Sequence, residues 1–444
     1  MTLTLLAALS LAAAAAQPAG GEKSEAPTRV ITLEQAIQSA QEHQPQLRAA
    51  HAGTDAAGAR AREAQSGLLP QLSAQAGYQR TTANFTSRPG SIPGNPGTQA
   101  GARGSSFDTY NYFSNSVSVS QLIYDFGQTT GRYDAAQAQA QATAENERAT
   151  GLQIVFNVRA AYFDARASRS LLQVAQETLQ NLQSHLQQTE GFVQVGTRPD
   201  IDLAQARSDT ANAQVQVITA ENTKDVSRAT LAQAMGLEGS LDFEVKDETL
   251  SPVPGEDAGT GALLDEAIKA RPEVASLLDQ VRAQQETVRS IKGAFAPQLG
   301  AVAGVTQGGI ALDQLGWNLS AGLTLTWGIY QGGLTTAQVH EGEAILAQIA
   351  AQLDVLRQQL RVDVEQARLG VRAAKASLGA ARDAQLNARE RLRLAEGRYE
   401  TGIGNAIELS DAQVAVTSAE VQVVQADQKL STARAQLLRA LGRP

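Results

Sequence analysis

Cysteine is absent from this chain, which removes structural disulfides, thiolate-bound zinc and a lipid-modified N-terminal cysteine. Aromatic residues are only 4% and charged residues 18% of the 444 positions. A globular core of this length draws on more aromatic mass; a wall of close-packed helices with alanine at its seams does not. Proline is missing between Pro96 and Pro199 and again between Pro297 and Pro444, so two long stretches carry no helix breaker. A net charge of -8 leaves no basic cluster for phosphates, which excludes nucleic acid as a partner. His43, His51, His185 and His340 are scattered without metal-ligand spacing, and no nucleophile motif or phosphate-binding glycine loop occurs. They read as ordinary exposed histidines, and neither catalysis, a cofactor nor a metal is expected.

Long apolar runs are missing too, apart from Leu3–Ala16. That run ends in Ala14-Ala15-Ala16 before Gln17, a small-residue cleavage pattern, though without the usual Lys or Arg at its start. Residues 1–16, or up to about 27, therefore read as a signal peptide. As a membrane anchor the run falls short of the roughly 20 residues needed to span. If the chain enters a membrane, it must do so with strands.

What is present is a seven-residue step. It lands on Leu409, Val416, Val423, Leu430 and Leu437, and three residues further on it lands on Ala412, Ala419, Ala426, Ala433 and Ala440. This 3-4 repeat marks a helix that winds against partners. Before it, Leu378, Gln385, Leu392 and Tyr399 keep one phase, and Gly402 and Gly404 break the two runs into a helical hairpin. The layout recurs 206 residues earlier: Leu172, Leu179, Leu186 and Val193, then Gly196, then Leu203 with Ala206, Ala213 and Ala220. The chain is an internal duplication.

Thr32 precedes a helix start, and Pro45 and Pro70 bound a second helix. In the second copy Pro272 and Pro297 do the same, 227 residues on. After each of these prolines the period changes to two. Leu72, Ala74, Ala76 and Tyr78 alternate with polar residues, as do Val117, Val119 and Ile123, and Leu299, Ala301, Ala303 and Val305. From Trp317 to Trp327 the alternation is unbroken, with aromatics at both ends, as in a membrane-spanning strand. A soluble hairpin with one buried face is the other reading of such a segment. The shorter loop 307–316, set against 80–115, accounts for the change of offset. The expected organisation is a first repeat 30–236 (helices 30–69, β-hairpin 71–125, helical hairpin 127–236) and a linker 237–261. A second repeat 262–441 follows (helices 262–296, β-hairpin 298–328, helical hairpin 333–441).

In order and repetition these features resemble the TolC family of outer-membrane efflux proteins over the whole mature chain. The resemblance rests on Pro45-Gln46-Leu47 and Pro272-Glu273-Val274, on Pro70-Gln71-Leu72 and Pro297-Gln298-Leu299, and on the two glycine-led tips. It implies a mainly α protein with β: a homotrimeric α/β-barrel channel in the outer membrane of a Gram-negative bacterium. Four transmembrane strands per chain would share a twelve-strand barrel in the lipid, with long coiled-coil hairpins forming a periplasmic tube. It further implies the exit duct of a tripartite efflux or type I secretion system, gated at the helix tips. The duct would be fed by an RND or ABC inner-membrane transporter through a periplasmic adaptor.

The resemblance also implies roles for single residues. Glu408 and Asp411, with Asp202 in the first copy, match the acidic ring of the closed entrance; such a ring favours cations, while a first-turn carboxylate also complements the helix dipole. Gly196, Thr197, Arg198, Gly402, Ile403 and Gly404 match the tips that adaptors grip. The family's gate arginine has Gly404 in its place here, and Arg198 on the first tip is the candidate substitute. Tyr78, Tyr124, Trp317 and Trp327 are the expected membrane-interface aromatics. The competing reading is a soluble periplasmic coiled-coil adaptor or scaffold without a barrel, extractable without detergent.

Overall fold

The computed structural model of the chain describes residues 29–82, 107, 109–238, 242–401 and 403–444. The expected signal peptide and leader, most of the loop 80–115, and Gly402 lie outside the described residues.

The chain begins with a short strand, β1 (Arg29–Ile31). Thr32 then opens α1 (Leu33–His43) with a reciprocal cap: its Oγ1 accepts from the Gln35 amide at 3.2 Å and its own amide donates to the Gln35 side chain at 3.1 Å. Pro45 is the first residue of α2 (Pro45–Ser66), where a missing N–H costs nothing. Past Pro70, β2 (Gln71–Thr82) and β3 (Thr109–Tyr124) form an antiparallel ribbon. Gly127, at φ 87°, turns the chain into α3 (Gln128–Gln194), and α4 (Asp200–Met235) returns beside it. After β4 (Phe243–Val245) the plan repeats as α5 (Thr260–Ala270), α6 (Pro272–Gly293), β5 (Gln298–Gly309) and β6 (Gly316–Thr326). The second coil, α7 (Leu334–Glu400) with α8 (Ala406–Ala440), closes the chain. At 67 residues each, α3 and α7 run roughly 100 Å at 1.5 Å per residue.

Such helices hold only because they lie side by side. In α8, Leu409, Leu430 and Leu437 and the alanines 412, 419, 426 and 440 are buried. Ala426, Leu430, Leu437 and Ala440 pack with Val364, Val371 and Leu378 of α7, while Leu409 and Ala412 pack with Ala395 and Tyr399 nearer the tip. Helix α3 is the centre of the chain: it packs on α2 and α4 of its own repeat and on α6 and α8 of the other. Helix α7 packs on α5, α6 and α8, and among the described residues no second set of helices covers its other flank as α6 and α8 cover α3.

The region 237–261 does more than link. β4 pairs in parallel with β1, a contact invisible in the sequence because three-residue strands carry no usable period. Beneath them Tyr162 and Phe163 of α3 are buried with Ile31, Phe243, Leu231 and Met235. Burial pushes the Tyr162 phenol up to about 12, so it stays protonated and donates to the Lys246 carbonyl at 2.9 Å. Further along, Glu256 accepts from Arg434 at 3.1 and 3.2 Å and pairs with Lys375 at 2.6 Å. Arg434 also donates to the Leu250 carbonyl at 2.8 Å. This clasp ties the connecting segment to both helices of the second coil.

Candidate functional site

Two regions carry chemistry: the sheet and the coil tips. The four strands run antiparallel in the order β2-β3-β5-β6. Register fixes their faces. Leu319 pairs with Val305, Val305 with Val117 and Val117 with Ala74; one step along, Ala321, Ala303, Val119 and Leu72 line up likewise. One face is therefore an apolar band, and it is open: Leu72 is 73% and Leu323 71% exposed. The alternate positions are Ser73, Ser116, Ser118, Ser120, Asn318 and Thr324, with the Ser73 and Ser118 hydroxyls 2.8 Å apart.

Aromatics mark both ends of the band. Trp317 and Tyr78 lie toward the far end; the Tyr78 ring is 5.1 Å from Phe113 and its hydroxyl donates to Asn111 at 3.0 Å. At the near end, Tyr124 stacks edge-on against Phe126 at 4.8 Å, and the Trp327 indole donates to the Phe295 carbonyl at 3.0 Å. Trp317 to Trp327 is about 33 Å of strand, or about 25 Å of membrane thickness at the usual tilt. Both outer strands, β2 and β6, leave a row of backbone groups unpaired among the described residues.

At the first tip Gly196 sits at φ 77°, and the amide and hydroxyl of Thr197 both donate to the Phe192 carbonyl at 2.9 Å. Arg198 folds back across the gap between the coils, its guanidinium 4.4 Å from the centre of the Tyr399 ring. A contact of this kind contributes about 0.5–2 kcal/mol. Asp202 lies 4.0 Å from the same guanidinium. At the second tip Asn405 caps α8 by accepting from the Glu408 amide at 2.7 Å, and Arg398 binds the Glu408 carboxylate at 3.0 Å. Asp202 and Glu408 thus each have an arginine of their own chain beside them, whereas Asp411 is exposed with no ion-pair partner among the described residues.

Gly404 has a steric reason to lack a side chain. It is buried, and a Cβ there would lie 3.1 Å from backbone atoms of Arg398 and Tyr399. Ile403, beside it, is 76% exposed at the extremity. Gly402 is outside the described residues.

His185 corrects the sequence reading. It is half-buried on α3, with its ring 5.4 Å from that of Tyr399, while His43, His51 and His340 are exposed. Tyr399 was legible as a heptad position; its contacts with Arg198 and His185 cross between coils and leave no trace in the heptad pattern. Burial lowers the His185 pKa and Arg198 adds to this, against the opposing pull of Asp209 and Asp202. The packed tip prefers the neutral ring. Its stability is complete above the ordinary value of 6.5 and is lost as pH falls from there toward the lowered folded value. Hydrogen-exchange protection around residues 185–203 should therefore drop as pH falls below 6.5, and His185→Gln should flatten that dependence.

A sheet with one apolar face and two open edges, on a helical shaft, defines a subunit of an outer-membrane channel. Among the described residues no helix is long and apolar enough to cross a membrane. The chain belongs to the outer membrane efflux protein family, whose model matches residues 36–237 and 263–443. It is 24% identical to the toluene efflux pump outer membrane protein TtgC of Pseudomonas putida over 92% of this chain and 82% of that protein. It is likewise 24% identical to the outer membrane protein TolC of Escherichia coli K12, over 89% and 78%. A membrane protein from Pseudomonas aeruginosa shares the fold at TM-score 0.80 and 21% identity, over 93% of this chain and 90% of that one. The chain is an outer-membrane protein of Gram-negative type whose helices reach into the periplasm, which excludes the soluble adaptor.

Proposed function

We propose that three copies of this chain, each built of the repeats 30–236 and 262–441, form one passive exit duct. It would stand at the outer end of a tripartite efflux or type I secretion system. The observation that carries assembly from several copies is the pair of open sheet edges, and the number three is what the family resemblance implies. Unpaired backbone is not tolerated in lipid, and four strands are too few to close a barrel, since about eight are the minimum. Sharing twelve strands among three chains satisfies every edge. The apolar band then faces lipid, the serine-rich face lines a wet lumen, and Tyr78, Tyr124, Trp317 and Trp327 lie at the two interfaces.

The coil tips are the gate. Arg198 over Tyr399 holds the first tip to the second coil, taking the place of the latch that Gly404 cannot supply. Asp202, Glu408 and Asp411, repeated threefold, make the entrance favour cations, with Asp411 contributing the carboxylate that no arginine offsets. A periplasmic adaptor grips Gly196-Thr197-Arg198 and Gly402-Ile403-Gly404 and connects the duct to an inner-membrane transporter. The chain itself performs no catalysis.

Membrane fractionation tests this reading. The protein should partition with the outer membrane, run as a trimer in cold dodecyl sulfate and fall to monomer only on heating. A monomer extracted without detergent would contradict it.

A further inference from the structure

We infer that the seam between subunits copies the seam inside each chain, residue for residue, and that its ion pair is Arg372 with Glu221 of a second copy. This rests on the trimer proposed above. Inside the chain, α3 of the first repeat lies against α8 of the second. There Arg166 donates to Asp427 at 2.6 Å, and the hydroxyls of Thr178 and Thr417 are 3.1 Å apart. Moving each α3 residue forward by the 206-residue repeat, and each α8 residue back by it, gives the matching positions on the chain's two outer flanks. Arg166 becomes Arg372 on α7, and Asp427 becomes Glu221 on α4. Charge and sign are kept at both places. Arg372 and Glu221 are exposed, and neither has an ion-pair partner among the described residues. Thr178 and Thr417 become Ala384 and Ala211, both small and exposed.

A second observation points the same way. A cleft of about 310 Å³ lies along the first coil, lined by Val174, Gln216 and Ala220 among others, with Thr417 and Val421 of α8 on its rim. A cleft of the same volume lies along the second coil, lined by the matching Ala380, Gln422 and Ala426. Among the described residues none of a further helix rims the second cleft. The matching rim residues are Ala211 and Val215 of α4, and Val215 is 62% exposed. A neighbour's α4 supplies to the second coil what α8 supplies to the first.

The sheet obeys the same rule. The hairpins β2-β3 and β5-β6 have equivalent registers, with Gln71 opposite Ser120 and Gln298 opposite Thr326. The join inside the chain sets Val117 opposite Val305. Its copy between chains sets Leu323 of β6 opposite Tyr78 of the next β2.

The chain has no cysteine of its own, so introduced pairs report alone. The full-length protein is made in its own outer membrane as A211C/A384C, Y78C/L323C and, for the internal seam, T178C/T417C, then oxidised and run in hot dodecyl sulfate. The Thr178 and Thr417 hydroxyls lie 3.1 Å apart, so cysteine sulfurs at these positions should meet, and those at their copies should too. Expected are covalent dimers and trimers for the first two variants, none for the single-cysteine chains, and a monomeric internal disulfide for the third. In parallel, R372E and E221R should each lower the fraction of heat-resistant trimer several-fold, and the double exchange should restore it. A native-mass trimer that forms the T178C/T417C bond but neither of the others overturns the copied seam and leaves the trimer standing. A native-mass monomer removes the trimer itself. Equal trimer yield from the single and double charge exchanges overturns the ion pair.

Discussion

Gly236→Ala and Gly442→Ala should each reduce the yield of folded protein in the outer membrane by about tenfold or more. These glycines end the two repeats, 206 residues apart, at φ 70° and 71°. A Cβ on Gly236 would lie 2.8 Å from backbone atoms of His43 and Gln44; on Gly442 it would lie 2.9 Å from those of Ala270. The obstacle in both cases is main chain at a bend between two helices, which cannot swing away as a side chain can. Left-handed alanine alone costs about 1–2 kcal/mol, and the overlap adds to it. Gly379 is the contrast. It lies inside α7 with nothing within 4 Å of an added Cβ, so Gly379→Ala should stabilise by about 0.5–1 kcal/mol. Quantifying folded protein in membrane fractions of the three variants, and its thermal unfolding after solubilisation, checks both signs.

Glu256→Ala is expected to cost about 3–5 kcal/mol, because it leaves the Arg434 guanidinium buried without its counter-charge. The Arg434 and Glu256 side chains are 12% and 4% exposed, so water cannot take over the lost contact. Burial acts to raise the Glu256 pKa, but Arg434, Lys375 and the Val253 amide outweigh it and the value falls below the ordinary 4.5. A depressed carboxylate contributes stability that is full above 4.5 and is lost as pH drops through the lowered folded value. Thermal unfolding of the solubilised protein should show that acid-side loss in the wild type. Glu256→Gln should be less stable at neutral pH and lose less on acidification.

The duplication, both helical hairpins and the membrane ribbons could be read from the sequence because each has a period. Leu409, Ala412 and their heptad mates are buried or half-buried on one stripe of α8, and Trp317–Trp327 alternates as a strand that shows one face to lipid must. The β1–β4 pair could not be read, since three residues give no period and their partners lie far apart in sequence. The clasp of Glu256 with Arg434 and Lys375 joins residues whose neighbours along the chain say nothing of one another. At the tips, the glycines, Asp202, Glu408 and Asp411 could be named from their places beside the turns. That Arg198 spans two coils to Tyr399, that His185 is packed there, and that Arg398 and Arg198 offset two of the three carboxylates depends on helix rotation. Gly404 was legible as a departure from the family's pattern, and its cause, backbone crowding at Arg398 and Tyr399, only as geometry.

The most direct test of a shared duct is current through a planar lipid bilayer containing the purified protein. Discrete steps of cation-selective current are expected, with selectivity weakened by Asp411→Asn. A folded, detergent-stable preparation that passes no current, or that prefers anions, would contradict it.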